Sequence, residues 1–92
     1  MERQIKFTLV ARDALHKLHI DAQRSLKSAL KKLAKGDIQG KPLKEQLTGF
    51  YSITVGNYRA IYAIEKEIII VFDAGHRKSI YDKKRSDNYS MS

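Results

Sequence analysis

The chain has no cysteine, a single proline and no long apolar run, and each absence excludes a class of protein. Without cysteine there is no disulfide framework, no thiolate metal site and no cysteine nucleophile, which is typical of a reducing compartment. No segment approaches the roughly 20 apolar residues that a membrane span requires. The first residues also lack the apolar core of a signal peptide. We therefore expect a cytoplasmic protein with no membrane partner.

Acidic residues are scarce as well, because 18 Lys and Arg stand against 10 Asp and Glu, a formal net charge of +8. The excess lies in two blocks: residues 23–46 have seven basic against two acidic side chains, and residues 76–92 have five against two. Such a surplus favours a polyanionic partner, with nucleic acid as the first candidate. A solvated helix face followed by a basic tail would produce the same count.

The length of 92 residues is enough for one domain. Alternating apolar residues predict a strand over residues 3–8. Apolar residues at helical spacing then predict two helices that are separated by a break at His19–Ile20. Asp21 is the predicted N-cap of the second helix, and Gly36 its predicted left-handed C-terminal residue.

The second half of the chain reads as β-structure. Residues 36–49 hold three of the five glycines and the proline, and are predicted to form a loop. Gly56–Asn57 is predicted to close one hairpin, and Glu65–Lys66 a second one that leads into an apolar strand over residues 67–72. The order β-α-α-β-β-β predicts an α+β fold, with a helical hairpin packed on one face of a small, largely antiparallel sheet.

The register of the first hairpin decides what the other face of the sheet carries. If Val55 lies opposite Tyr58, then Ser52, Thr54 and Arg59 all point away from the helices. An arginine in the middle of a sheet needs an anionic or hydrogen-bonding partner. These three residues are therefore predicted to line a cleft, although pairing of Arg59 with an acidic neighbour would be a purely structural alternative.

Several segments together resemble the RelE/ParE toxin superfamily of type II toxin–antitoxin modules. They are the segment over residues 43–53, the run VGNYRAIY over residues 55–62 and the ending GHRKSIY over residues 75–81. The resemblance implies a single RelE-like toxin domain over residues 1–85. Residues 86–92 are expected to form a disordered tail, as chain ends often do. The RelE branch of this family cleaves messenger RNA in the ribosomal A site, and the ParE branch poisons DNA gyrase. The ending is more similar to that of the RelE branch.

The resemblance also implies a metal-free reaction without a cofactor, in which the ribose 2′-oxygen attacks the adjacent phosphorus. Arg59 matches a phosphate-binding arginine, and Arg77 matches an arginine that stabilises transition-state charge. Tyr81 matches a tyrosine that stacks on a base or takes the 2′-hydroxyl proton. His76 completes the predicted catalytic set, because histidine is the side chain best suited to proton transfer near neutral pH.

The sequence departs from the family pattern at two positions. Ser52 and Thr54 stand where RelE-like proteins carry lysines that serve as base or charge stabiliser. A hydroxyl cannot replace a cation. Either Lys41, Lys44 or His76 supplies the missing group, or the protein cleaves slowly, or its toxicity does not depend on RNA cleavage.

The basic side chains outside the catalytic set are predicted to contact RNA or the ribosome. They are Lys27, Lys31, Lys41, Lys44, Lys78, Lys83 and Lys84. The expected partners are messenger RNA on the ribosome and a cognate antitoxin that neutralises the basic cleft.

Two further functions are weighed against ribosome-dependent cleavage of messenger RNA. One is a ParE-like gyrase inhibitor, or a catalytically weakened homologue that only binds the antitoxin. The other is a plain RNA-binding domain, which is disfavoured because the predicted sheet lacks the paired aromatic residues on which RRM-type sheets stack bases.

Overall fold

A computed structural model describes residues 2–76 of the chain. Its elements in chain order are β1 (Gln4–Phe7), α1 (Leu9–His16), α2 (Ile20–Lys35), β2 (Lys41–Pro42), a 3-10 helix (Glu45–Leu47), β3 (Tyr51–Val55), β4 (Tyr58–Glu65) and β5 (Ile68–His76). The strands form one sheet in the order β1-β5-β4-β3-β2. Strand β1 is parallel to β5, and the other neighbours are antiparallel. The predicted α+β architecture is confirmed.

The hydrophobic core lies between the two helices and one face of the sheet. Helix α2 buries a stripe at three- and four-residue spacing, and Leu26 and Leu30 at its centre are 0% and 2% exposed. They pack in one cluster with Ile69 and Val71 of β5. Truncation of either leucine to alanine would cost roughly 2–5 kcal/mol of stability. Among the described residues, no helix is long and apolar enough to cross a membrane.

The two ends of α2 compare differently with the prediction. Gly36 ends the helix in the left-handed region at φ +85°, as expected. The N-cap is His19 and not Asp21, because His19 Nδ1 accepts a hydrogen bond from the Asp21 amide at 3.2 Å. The Gln23 side chain also donates a hydrogen bond of 2.8 Å to the carbonyl of Leu18, which holds the start of α2 against the end of α1.

The hairpin that joins β3 and β4 has the predicted register, with Val55 opposite Tyr58. Gly56 is in the left-handed region at φ +58°, which suits the first position of a tight turn. The second hairpin turns one residue later than predicted, at Lys66–Glu67, because the β4–β5 ladder extends to Glu65 opposite Ile68.

The predicted loop over residues 36–49 contains strand β2 and the 3-10 helix. The two residues of β2 pair with β3 at the edge of the sheet. Pro42 is tolerated there because an edge strand has one side without ladder hydrogen bonds. A two-residue strand that contains proline leaves no periodic signal in the sequence.

Tyr62 of β4 anchors the segment that leads into β2. Its side chain is 1% exposed, stacks on Tyr51 with ring centroids 5.6 Å apart, and makes a hydrogen bond with the Gly40 backbone. A Cβ atom at Gly40 would collide with the Tyr62 phenol, so only glycine permits this approach. Burial raises the pKa of Tyr62, and the Gly40 hydrogen bond partly opposes the increase.

Removal of the His19 cap tests the start of α2. We expect His19→Ala to lower the free energy of unfolding by about 0.5–1 kcal/mol, because the Asp21 amide loses its acceptor. Asp21→Ala should cost only a few tenths of a kcal/mol through the helix dipole. Urea unfolding at neutral pH measures both variants. A larger loss of unfolding free energy in Asp21→Ala than in His19→Ala would show that Asp21 is the N-cap.

The buried Tyr62 hydroxyl makes stability depend on alkaline pH. A phenol whose pKa is raised by folding stabilises the protein fully below its unfolded value, about pH 10, and this stability is lost as the pH rises further. We therefore expect the urea midpoint to fall more steeply above about pH 10 in the wild type than in Tyr62→Phe. Parallel curves for the two proteins would contradict this assignment.

Candidate functional site

The face of the sheet opposite the helices, here called the second face, carries Arg59 on the central strand β4, close to the β3–β4 turn. Arg59 on β4 lies between Thr54 of β3 and Gly75 of β5. Its Nε donates a hydrogen bond to Thr54 Oγ1 at 3.1 Å, which turns the guanidinium toward β3. Gly75 has no side chain to fill the other flank. A guanidinium can bind two oxygens of a phosphate at once, which makes arginine a suitable phosphate ligand.

The neighbouring cross-strand row contains two buried polar residues. Ser52 of β3 lies opposite Ile61 of β4, which lies opposite Asp73 of β5. Ser52 is 4% exposed and Asp73 is 2% exposed. The Asp73 carboxylate accepts a hydrogen bond from the Ala74 amide at 2.8 Å. Sequence reasoning did not single out Asp73, although an acidic residue directly after an apolar run was the available signal.

Lys41 brings a second cation to this face. In the β2–β3 ladder Lys41 lies directly opposite Ser52, so both side chains point to the same side of the sheet. From strand spacing and rise, the Cα atoms of Lys41 and Arg59 are about 12 Å apart. The Lys41 side chain is exposed. Lys44 lies beyond the β2–β3 ladder, at the start of the 3-10 helix.

His76 lies on the opposite face from Arg59. It pairs with Tyr58, which packs against the helix-side core, and the two rings meet edge to face at 5.8 Å. His76 also lines a cavity of about 420 Å³ together with Val10 and Asp13 of α1. The structure therefore does not bring His76 together with the residues of the second face, because alternate residues of β5 point to opposite sides.

The lysines predicted on α2 are exposed, but they do not lie beside the second face. Lys27 and Lys31 are solvent-facing. The side chains that approach β3 are instead Arg24 and Lys32, which line a groove of about 490 Å³ between α2 and β3. Thr54 lines the same groove, so the groove adjoins the edge of the second face. The rotation of α2 about its axis determines which of its basic side chains face β3. The spacing of the lysines in the sequence does not fix that rotation.

The second face also carries an aromatic pair that the sequence did not reveal. The rings of Phe50 and Phe72 lie with their centroids 5.1 Å apart at an interplanar angle of 82°. The expectation that the sheet lacks paired aromatic residues is therefore wrong. Strand alternation concealed the pair, because Phe50 precedes β3 and Phe72 sits at an irregularity in the β4–β5 register.

Five of the predicted site residues and the predicted tail lie outside the described residues. They are Arg77, Lys78, Tyr81, Lys83, Lys84 and residues 86–92. Within residues 2–76, no cluster of three or more histidine or acidic side chains has a geometry that could hold a metal ion.

Comparison with known proteins identifies the family. The family model of the ParE toxin of type II toxin–antitoxin systems matches residues 3–81. Toxin RelG of Mycobacterium tuberculosis is 34% identical over 89 residues, which cover 88% of this chain and 98% of RelG.

Solved structures share the fold. A chain of the RelBE2 toxin–antitoxin complex from Mycobacterium tuberculosis has a TM-score of 0.76 and 30% identity, and the match covers 84% of this chain and 100% of that one. A mutant of the E. coli toxin RelE in the free state has a TM-score of 0.74 and 21% identity, over 92% and 98% of the two chains. The resemblance found in the sequence is thus confirmed: the chain belongs to the RelE/ParE superfamily of toxins of type II toxin–antitoxin systems.

Proposed function

We propose that this toxin is a ribosome-dependent endonuclease that cleaves messenger RNA. The observation that carries the proposal is the placement of Arg59 and Lys41 on the same face of the sheet, the one opposite the helices. Cations that project from a rigid sheet can hold the RNA backbone in a fixed position. The positive charge of the chain supports the same class of partner.

The proposed reaction is attack of a ribose 2′-oxygen on the adjacent phosphorus. The 2′-hydroxyl gives up its proton, the bond to the 5′-oxygen breaks, and a 2′,3′-cyclic phosphate and a free 5′-hydroxyl remain. Arg59 would bind the non-bridging oxygens, where negative charge increases in the transition state. Arg77 and Tyr81 keep the roles that the family resemblance implies, charge stabilisation for Arg77 and base stacking or proton transfer for Tyr81.

Lys41 is the residue that we assign to the cationic role left open by Ser52 and Thr54. Its position opposite Ser52 lets a four-carbon side chain extend over the serine. Lys41 thus takes the role of a charge stabiliser for the phosphate. Lys44 lacks this register, and His76 faces the helices, so neither is equally well placed.

A ParE-like toxin that inhibits gyrase, or a weakened homologue that only binds the antitoxin, is the second candidate. The observation that favours it is the description of the matching family model as a ParE toxin. The uncharged residues Ser52 and Thr54 also fit a site that has lost part of its chemistry.

A cognate antitoxin is the proposed regulatory partner. RelBE2 is a toxin–antitoxin complex, which supports the same arrangement for this chain. An antitoxin with an acidic segment would neutralise the basic face and exclude RNA from it. The proposed site of action is the cytoplasm, where ribosomes and messenger RNA are found together.

Cleavage of messenger RNA on programmed ribosomes, mapped by primer extension, tests the proposal. We expect the wild type to cut in the A site, and Arg59→Ala to cut about 10²- to 10³-fold more slowly, because a charge-stabilising donor is lost. Arg12→Ala removes the same charge from an exposed position on α1 and serves as the control, with cleavage near the wild-type rate. Uncut messenger RNA with the wild type, under conditions where a RelE toxin cuts, would reject the proposal. Inhibition of gyrase supercoiling would then support the second candidate.

The assignment of Lys41 has its own test. We expect Lys41→Gln to slow cleavage on the ribosome by about 10- to 100-fold, and Lys41→Arg to keep most of the rate, since the charge is retained. Lys66→Gln, at the turn between β4 and β5, removes an equal charge at the far end of the sheet and is the control. A greater loss in Lys44→Gln than in Lys41→Gln would move the cationic role to Lys44.

A further inference from the structure

The aromatic pair on the second face has no role in the proposed cleavage. Phe50 and Phe72 are each only partly buried. Neither belongs to the cluster of residues packed between the helices and the sheet. In an edge-to-face pair, the ring that presents its edge keeps both of its own faces clear of the other ring. These two partly exposed rings lie outside the core, and aromatic rings are surfaces on which planar ligands stack.

A β-bulge places Phe72 on this face. Along β4, the partner in β5 changes from Asp73 opposite Ile61 to Val71 opposite Tyr62, so Phe72 is the extra residue. Val71 and Ala74 both point into the helix-side core. The two residues between them, Phe72 and Asp73, must therefore share the second face. Bulges are often found beside functional sites, where they redirect a side chain.

The aromatic pair adjoins the cationic part of the face. Phe50 lies two residues before Ser52 on the same side of the chain, a distance of about 7 Å along the strand. Lys41 is opposite Ser52, and Arg59 is opposite Thr54 in the next row. From strand spacing and rise, the Cα atoms of Lys41 and Arg59 are about 8 Å and about 14 Å from that of Phe50. The two cations thus follow the aromatic rings in succession along the second face.

We propose that Phe50 and Phe72 form a stacking site for a nucleobase of single-stranded RNA, whose successive phosphates lie against Lys41 and Arg59. This proposal rests on the proposed function and adds the contact that orients the substrate. Stacking on an aromatic ring suits any base, since every base has a π-face, so the site would position RNA with little sequence preference. A protein segment on the rings is the competing occupant. RNA is favoured because Lys41 and then Arg59 follow the rings along the face, where successive backbone phosphates of a strand would lie.

The absence of tryptophan from the chain allows a direct test. Phe50→Trp introduces a single tryptophan at the site, and its fluorescence can be excited selectively over that of the tyrosines. The probe is a short 2′-O-methyl RNA, which lacks the attacking hydroxyl, and the comparison ligand is an abasic oligonucleotide of equal length and charge. Low salt ensures that phosphate contacts alone are strong enough to measure. We expect the RNA to quench the tryptophan fluorescence and the abasic oligonucleotide to leave it unchanged.

Leucine variants measure how much the rings contribute to binding. We expect Phe50→Leu and Phe72→Leu each to weaken binding of the RNA roughly 5- to 100-fold, the contribution of one stacked base, and to leave binding of the abasic oligonucleotide unchanged. Phe7→Leu, on the helix side of β1, is the matched control and should change neither. Thermal unfolding verifies that the variants remain folded. Lys41→Gln should weaken both ligands equally.

The outcomes separate this proposal from the proposed function. Equal quenching and equal affinity for the two oligonucleotides would overturn the stacking site, even if ribosomal cleavage is observed. Base-dependent quenching without ribosomal cleavage would keep the stacking site and reject the nuclease. Failure of both oligonucleotides to bind at low salt would overturn the stacking site, whereas the nuclease is judged by cleavage on the ribosome.

Discussion

The register of the β3–β4 hairpin is the constraint on which the rest of this structure depends. Because side chains alternate along a strand, a slip of one residue would move every side chain of both strands to the other face of the sheet. Val55 opposite Tyr58 sends Ile53 and Ala60 into the helix-side core and leaves Arg59 on the second face. The burial of apolar groups thus fixes the position of the charged one, and the tight turn at Gly56 makes any other pairing costly.

The second constraint is that β5 lies between β1 and β4 and has apolar residues toward both faces. Ile69 and Val71 complete the core below the helices, while the bulge turns Phe72 and Asp73 to the other side. One central strand therefore stabilises the fold and supplies the second face with an aromatic ring and a buried carboxylate. The core and the candidate site both contain side chains of β5, so a change in the register of β5 would affect both.

The candidate site is further coupled to the core through β2. Tyr62 belongs to the core, yet its hydroxyl meets the backbone of Gly40, the residue immediately before Lys41. A two-residue edge strand would have little stability alone. The contact between Tyr62 and Gly40 fixes the position of β2, and this places Lys41 opposite Ser52. The cation at the edge of the sheet thus depends on a tyrosine from its helix-side face.

The sequence by itself determined the α+β class, the two helices, the β3–β4 hairpin and the face that carries Arg59. Each of these follows from local periodicity, from a glycine at a turn or from a family motif. Only the tertiary structure decided that Lys41 joins Arg59, that His76 faces the helices and that Phe50 meets Phe72. Lys41 is placed by a two-residue edge strand, and His76 by the alternation of side chains at the end of β5. Phe72 is placed by a bulge. None of these leaves a periodic signal, because each exists only once distant strands have paired.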